Sequence, residues 1–296
     1  MALVQYSDSE SDSEQEAPPR KIIRQSKDDQ GRKSASLLPP LPASFHDLYA
    51  SGTRVSVRDD PSLHGGRKRA IPHVEGNWPT HIYLEWYPSK EDLRILSNII
   101  TQAGSTLQGE QAKLHSFLHS DLGAQLPLHI SLSRPVVLRT EERQPFMEAF
   151  EAALGSSDLS PFDVQVESLD WVSNFEKTRW FYVIRVKRPD KDYLNRLLHV
   201  SNRSLGLFGQ PPLYEPASDS LKAGGPGQDT PDSKSASAGE YTGCFHVSIA
   251  WSLAEPSAED KERMKKIDLG KLRALKVRFD CVKAKIGNNV SSIPLL

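Results

Sequence analysis

The chain has very little cysteine: Cys244 and Cys281 are the only thiols in its 296 residues. Two cysteines cannot build the disulfide framework of a small secreted protein, and they suit a reducing intracellular compartment. Cys244 stands beside His246, which raises a nucleophilic or metal-ligating role. No C-x-x-C or H-E-x-x-H spacing accompanies it, so that role is set aside. An excess of charge is missing too: 37 Lys and Arg face 38 Asp and Glu, for a net charge of −1. This balance excludes a protein that coats nucleic acid by charge alone; any RNA contact must be local and shape-based. There is no apolar amino-terminal h-region and no long apolar run, so neither a secretory signal nor a membrane span is expected. Hydrophobic residues, at 38%, are few for a chain that folds throughout.

Residues 1–70 read as a disordered tail. Serines and acids alternate over residues 7–14, too polar to bury anything, and Leu38-Pro39-Pro40-Leu41-Pro42 reads as extended linker. Gly66-Arg67-Lys68-Arg69 is a small basic cluster, suited to nuclear import or to a solvated turn. Residues 71–296 read as the folded domain, interrupted by a Gly-, Pro-, Ser- and Asp-rich flexible insertion over 214–239. Within it, 81–86 alternates as a strand. Ser89 and Asp92 then mark a helix start, and Leu93, Leu96, Ile99, Ile100 and Ala103 form its apolar stripe. A second helix is expected over 111–119, with His115 and His119 on one face and no third ligand to complete a metal site. Helices are also expected over 140–154, 190–207 and 257–266, and strands over 162–171, 179–187, 275–286 and 291–295. Gly287-Asn288-Asn289 is a hairpin turn signal.

Two short runs carry the chemistry: Leu128-His129-Ile130-Ser131-Leu132-Ser133 and Phe245-His246-Val247-Ser248-Ile249-Ala250-Trp251. Each alternates apolar and polar residues with period two, as a half-buried strand does. Residues two apart share a face, so His129 and Ser131 point one way, as do His246 and Ser248, with the apolar residues facing the core. A third H-x-S, His199-Val200-Ser201, lies among leucines at helical spacing, where residues two apart do not face each other. It is discarded. The resulting order, with strands, helices and one H-x-S in each half, gives an α+β fold of two lobes, helices outside and sheet faces lining a central groove.

Two H-x-S motifs on strands, one per lobe, resemble the 2H phosphoesterase superfamily. Further runs are similar to the Usb-type U6 snRNA phosphodiesterase family within it. These are residues 64–73, Gly76-Asn77-Trp78-Pro79-Thr80-His81, Glu176-Lys177-Thr178-Arg179, the second H-x-S strand, and Gly287-Asn288 through Pro294-Leu295. The resemblance spans residue 64 to the carboxyl end, apart from the insertion. It implies a nuclear, cofactor- and metal-independent RNA exonuclease that trims the uridine tail of U6 snRNA from the 3′ end. Its product ends in a 2′,3′-cyclic phosphate, which some members open to a 3′-phosphate. The catalytic positions implied are His129, Ser131, His246 and Ser248. Tyr241 takes the place of a tyrosine that stacks on the terminal base, and Gly243, Cys244, Phe245 and Val247 the adjoining substrate contacts. Phe175 stands where the family tends to place a polar residue, which implies relaxed uridine preference. The protein is expected to act as a monomer away from membranes.

The residues support the same chemistry independently. RNA carries its own nucleophile in the 2′-hydroxyl; one imidazole takes that proton while another protonates the departing 5′-oxygen, both suited to a pKa near 6.5. Ser131 and Ser248 donate hydrogen bonds where negative charge grows on the phosphate. His129 is assigned as base and His246 as acid, an order the sequence does not fix. Tyr241 either stacks on a base or packs at a loop–strand junction. Lys177 and Arg179 either meet phosphate or pair with acids. Two other readings stay open: a 2H phosphodiesterase for cyclic or 2′-5′-linked nucleotides, and a splicing-associated RNA-binding module without turnover.

Overall fold

A computed structural model describes residues 74–107, 113–120, 122–174, 176–215 and 241–296. The tail over 1–70, the run over 64–73, Phe175 and all of the insertion beyond residue 215 lie outside the described residues. The chain divides at Pro42, and every described residue belongs to the unit that follows.

Ten strands are described: β1 (Asn77–Trp86), β2 (His115–Ser116), β3 (Leu128–Ser131), β4 (Val136–Arg139), β5 (Phe162–Ser173), β6 (Trp180–Val186), β7 (His246–Ser252), β8 (Lys276–Phe279), β9 (Cys281–Ile286) and β10 (Asn289–Pro294). They join in one antiparallel sheet of order β10-β9-β1-β3-β7-β6-β5-β8, with β4 paired to β1 and β2 to β7. The two H-x-S strands, β3 and β7, are therefore neighbours at the centre of the sheet, with β1, β9 and β10 beyond β3 and β6, β5 and β8 beyond β7.

The helices are α1 (Lys90–Thr106), α2 (Arg143–Gly155), α3 (Tyr193–Gly206), α4 (Ala258–Met264) and α5 (Gly270–Arg273). α1 starts at the expected capping box: Ser89 Oγ accepts from Asp92 N, and Asp92 accepts from Ser89 N. Ser257 and Asp260 repeat the device at α4. α1 packs on α4, and α2 on α3. Their apolar faces (Leu96 and Ile99; Phe146 and Phe150; Leu194, Leu197 and Leu198) share one core with Ile82 and Leu84 of β1, Ile130 of β3, and Val247 and Ile249 of β7. Ile82, Leu84 and Ile249 are fully buried; each such side chain stabilises the fold by roughly 1.5–3 kcal/mol. One face of the central strands is thus sealed by helices, and period-two alternation turns the polar residues of the same strands to the other face.

Three expectations are corrected. Residues 111–119 do not form a helix: His115 and Ser116 pair as β2 onto Trp251 and Ala250 of β7, and His119 makes a bridge to Gln125. Pairing with a central strand outweighs a weak local helical pattern. His115 and His119 therefore do not share a helical face, and among the described residues no group of three metal-ligating side chains forms. The strand expected over 275–286 is broken at Asp280 into β8 and β9, which pair with different partners, β5 and β1. The helix expected from residue 190 starts in earnest at Tyr193, because Lys191 and Asp192 have φ of 60° and 58°. The β9–β10 hairpin does turn on Gly287 at φ +62°, and a side chain there would meet Trp78 at 2.5 Å.

Candidate active site

The site starts from one register. Ile130 of β3 is paired with Val247 of β7, antiparallel. That pairing sets His129 across from Ser248 and Ser131 across from His246. The two histidines become diagonal neighbours, and such positions lie about 7–8 Å apart. A local two-fold relation about the Ile130–Val247 pair exchanges one H-x-S with the other. Ile130 and Val247 are themselves 1% exposed, so the core fixes the register: a one-residue slip would drive both imidazoles into the helix layer.

Neighbouring strands complete the polar face. On the β3 side, Tyr83 of β1 pairs with Ser131, and Glu85 with His129. His81, on the same face of β1, sets its Nε2 3.1 Å from Ser131 Oγ. Its ring meets His129 edge-to-face at 5.5 Å and stacks on Tyr83 at 5.2 Å. Tyr83 meets His129 edge-on as well, at 5.6 Å. Beyond them, Lys285 and Lys283 of β9 pair with His81 and Tyr83, and the Lys283 ammonium lies 3.5 Å from the Glu85 carboxylate.

On the β7 side the surroundings are charged. Arg185 of β6 pairs with His246. Its guanidinium bonds Asp170 at 2.9 Å and donates to the Gly243 and Cys244 carbonyls at 2.9 and 3.3 Å. The Cys244 carbonyl also accepts from Tyr214 Oη at 3.1 Å and meets His246 Nδ1 at 2.7 Å. A carbonyl can only accept, so Nδ1 carries the proton and Nε2 is the atom left for chemistry in the cleft.

Electrostatics separates the histidines. His129 has surface open to the cleft, yet crowding by its walls pushes its pKa down to about 4, helped by the nearby His246. Burial pushes His81 down to about 3, with the charges of His129 and Lys285 acting the same way. Burial also lowers His246, and Arg185 adds to that, but the Cys244 carbonyl and Asp170 favour its charged form. Burial raises both thiols, Cys281 to about 11. Cys244 is therefore a protonated thiol at neutral pH, unsuited to attack or to ligate.

The other sequence-derived positions sort by face. Phe245 and Val247 are 0% and 1% exposed and belong to the core. Gly243 and Cys244 lie in the short 3-10 turn Thr242–Cys244 that leads into β7. Tyr241 precedes that turn, its backbone N–H donating to the buried Asn195 side chain on α3 and its ring stacked on Tyr214 at 6.4 Å. Tyr214 holds φ of +66°, an uncommon conformation for a bulky residue. Lys177 is exposed at the β5–β6 turn, and Arg179 lies over the Trp251 ring at 5.1 Å. The sequence reading missed His81, Tyr214, Arg185 and Asp170, because each earns its place through cross-strand pairing or a contact from another part of the chain. Alternation over 81–86 did signal which face of β1 carries His81, but not whose histidine it would meet.

Two imidazoles and two hydroxyls on adjacent central strands, open to one side and sealed by helices on the other, form an arrangement able to perform acid–base chemistry on a phosphodiester. The sequence matches a family model named HVSL, described as an uncharacterised conserved protein, over residues 39–294. It is 35% identical over 298 residues to U6 snRNA phosphodiesterase 1 of Neurospora crassa, covering 89% of this chain and 76% of the relative. It is 28% identical over 308 residues to U6 snRNA phosphodiesterase 1 of Homo sapiens, covering 99% and 98%. The fold is shared with Kluyveromyces marxianus Usb1 solved with uridine monophosphate, at TM-score 0.53 and 17% identity over 75% of this chain and 99% of that one. The chain belongs to the HVSL family, together with these U6 snRNA phosphodiesterases, and is a phosphodiesterase. Among the described residues, no helix is long and apolar enough to cross a membrane.

Proposed function

We propose that the chain is a 3′-to-5′ RNA exonuclease that trims the oligouridine tail of U6 snRNA, with His129, Ser131, His246 and Ser248 as its catalytic residues. The observation that carries this is the β3–β7 register, which sets two imidazoles diagonally across one open cleft. The family names support U6 snRNA as substrate.

The 2′-hydroxyl of the penultimate nucleotide attacks the last phosphodiester. The P–O2′ bond forms and the P–O5′ bond breaks. His129, neutral through its lowered pKa, takes the 2′-hydroxyl proton. His246 gives a proton from Nε2 to the leaving 5′-oxygen; its Nδ1–H contact with Cys244 and the nearby Asp170 favour the imidazolium this task needs. A bound phosphodiester anion raises both pKa values, since an opposite charge within a few ångströms favours the protonated ring. Ser131 and Ser248 donate to the non-bridging oxygens. The terminal nucleoside leaves and the RNA keeps a 2′,3′-cyclic phosphate; no step requires a metal. Tyr241 offers its ring to the terminal base, with the Thr242–Cys244 backbone beside it, and the apolar residue type at Phe175, where the family tends to carry a polar one, relaxes the uridine preference. The enzyme works as a monomer in the nucleus and away from membranes.

The test is incubation with oligouridine-tailed RNA, with and without EDTA, followed by mass analysis of the new 3′ end. Expected are stepwise shortening undiminished by EDTA, a cyclic phosphate or its 3′-phosphate product, and resistance of RNA whose penultimate sugar is 2′-deoxy. Efficient cutting of the deoxy substrate, or loss of activity in EDTA restored by a divalent ion, would sink the mechanism. Turnover of cyclic or 2′-5′-linked nucleotides alone would reassign the substrate.

A further inference from the structure

His81 belongs to neither H-x-S motif, and the reaction written above gives it no task. It nevertheless makes close contact with both members of the first one. Its Nε2 is 3.1 Å from Ser131 Oγ, its ring lies edge-to-face with His129, and its other contact, the stack on Tyr83, fixes the ring plane. A neutral imidazole offers one donor nitrogen and one acceptor nitrogen, and a hydroxyl offers one proton and two lone pairs. If Ser131 spent its proton on His81, it would present only lone pairs to a phosphate whose oxygens are also acceptors. If instead the Nε2–H donates to Oγ, the serine proton remains for the substrate. Burial holds His81 uncharged far below neutral pH, so the ring does not compete with His129 for the 2′-hydroxyl proton.

We propose that His81 is a positioning residue: its Nε2–H donates to Ser131 Oγ, which turns the serine O–H toward a non-bridging phosphate oxygen, while its ring braces the His129 imidazole. This deepens the proposed reaction and rests on it. In the second motif the residue paired with Ser248 on β6 is the apolar Val183.

The test is a double-mutant cycle read as kcat and KM on tailed RNA. His81→Phe keeps an aromatic ring and removes the donor. Ser131→Ala removes the hydroxyl. Each is expected to lower kcat on the order of 10²-fold, the loss typical of one donor to a developing oxyanion, with KM little changed. Because both act through one hydrogen bond, the double variant should be no slower than the slower single variant. His81→Gln, whose amide can donate, should recover part of kcat. Independently of any substitution, ¹⁵N NMR of histidines in the full chain should find His81 as the neutral Nε2–H tautomer down to pH 5. Multiplicative losses in the double variant, a wild-type kcat for His81→Phe, or an Nδ1–H tautomer would overturn this role while leaving the reaction intact. An active His129→Ala variant would overturn the reaction and this role together.

Discussion

The strands β3 and β7 carry the same H-x-S triplet, yet their histidines sit in opposite surroundings. His129 is hemmed in by rings, His81 and Tyr83, and burial together with the nearby His246 holds it below its ordinary pKa. His246 rests on a carbonyl that three donors share, with the Arg185–Asp170 pair beside it. In the proposed reaction one motif, placed twice, serves as proton acceptor at His129 and as proton donor at His246; burial lowers both rings, and only at His246 do a carbonyl and a carboxylate oppose it. The proposed assignment of base and acid rests on what surrounds each ring, not on the motif.

Breaking that asymmetry gives the largest expected effect. His129→Ala and His246→Ala should each lower kcat by roughly 10²–10⁴ on RNA, the range for general acid–base groups. They should part company on a uridine 3′-phosphodiester with a nitrophenolate leaving group, which departs without a proton. There His246→Ala should regain most of its rate and His129→Ala should not. Recovery by His129→Ala instead would reverse the two roles.

A smaller effect is read in pH. With a base held near 4 and an acid lowered from 6.5, kcat/KM should form a bell lying below pH 6.5: it rises as His129 loses its proton and falls as His246 loses its own. Asp170→Asn removes a group that favours the His246 cation and leaves Arg185 uncompensated. It should move the alkaline limb further toward acid and leave the acid limb in place. An alkaline limb above 6.5 in the wild type, or movement of the other limb in the variant, would contradict the comparison.

The smallest effect is on stability. His81 and His129 refuse protons that the unfolded chain accepts below pH 6.5, so folding is fully favoured above 6.5 and weakens as pH falls toward 4 and then 3. The midpoint of thermal unfolding should drop over that range, and less steeply in His81→Gln. An equal slope in both proteins would mean that His81 is not held neutral by the fold.

Much of this was legible in the residues, and the misses have a common cause. The alternation around His129 and His246 predicted their strands, their faces and their buried neighbours. Ser89 with Asp92 announced a helix start through purely local hydrogen bonds, a device that Ser257 and Asp260 repeat. His115 deceived, because its segment has no strong pattern of its own and takes its conformation from β7. Arg185 lay unnoticed inside an apolar strand, since its value depends on facing His246 across a register no local pattern encodes. His81 was hidden for the same reason: the sequence made it one of several polar residues on β1.

What the chain determines locally is period and capping: which residues share a face, where helices begin, and that two identical polar pairs exist. These follow from backbone geometry within a few residues of each position. Which strands become neighbours, in what register, and what then surrounds each imidazole depend on how distant apolar faces pack into one core. Only that packing gives the two histidines the different surroundings on which their proposed roles rest.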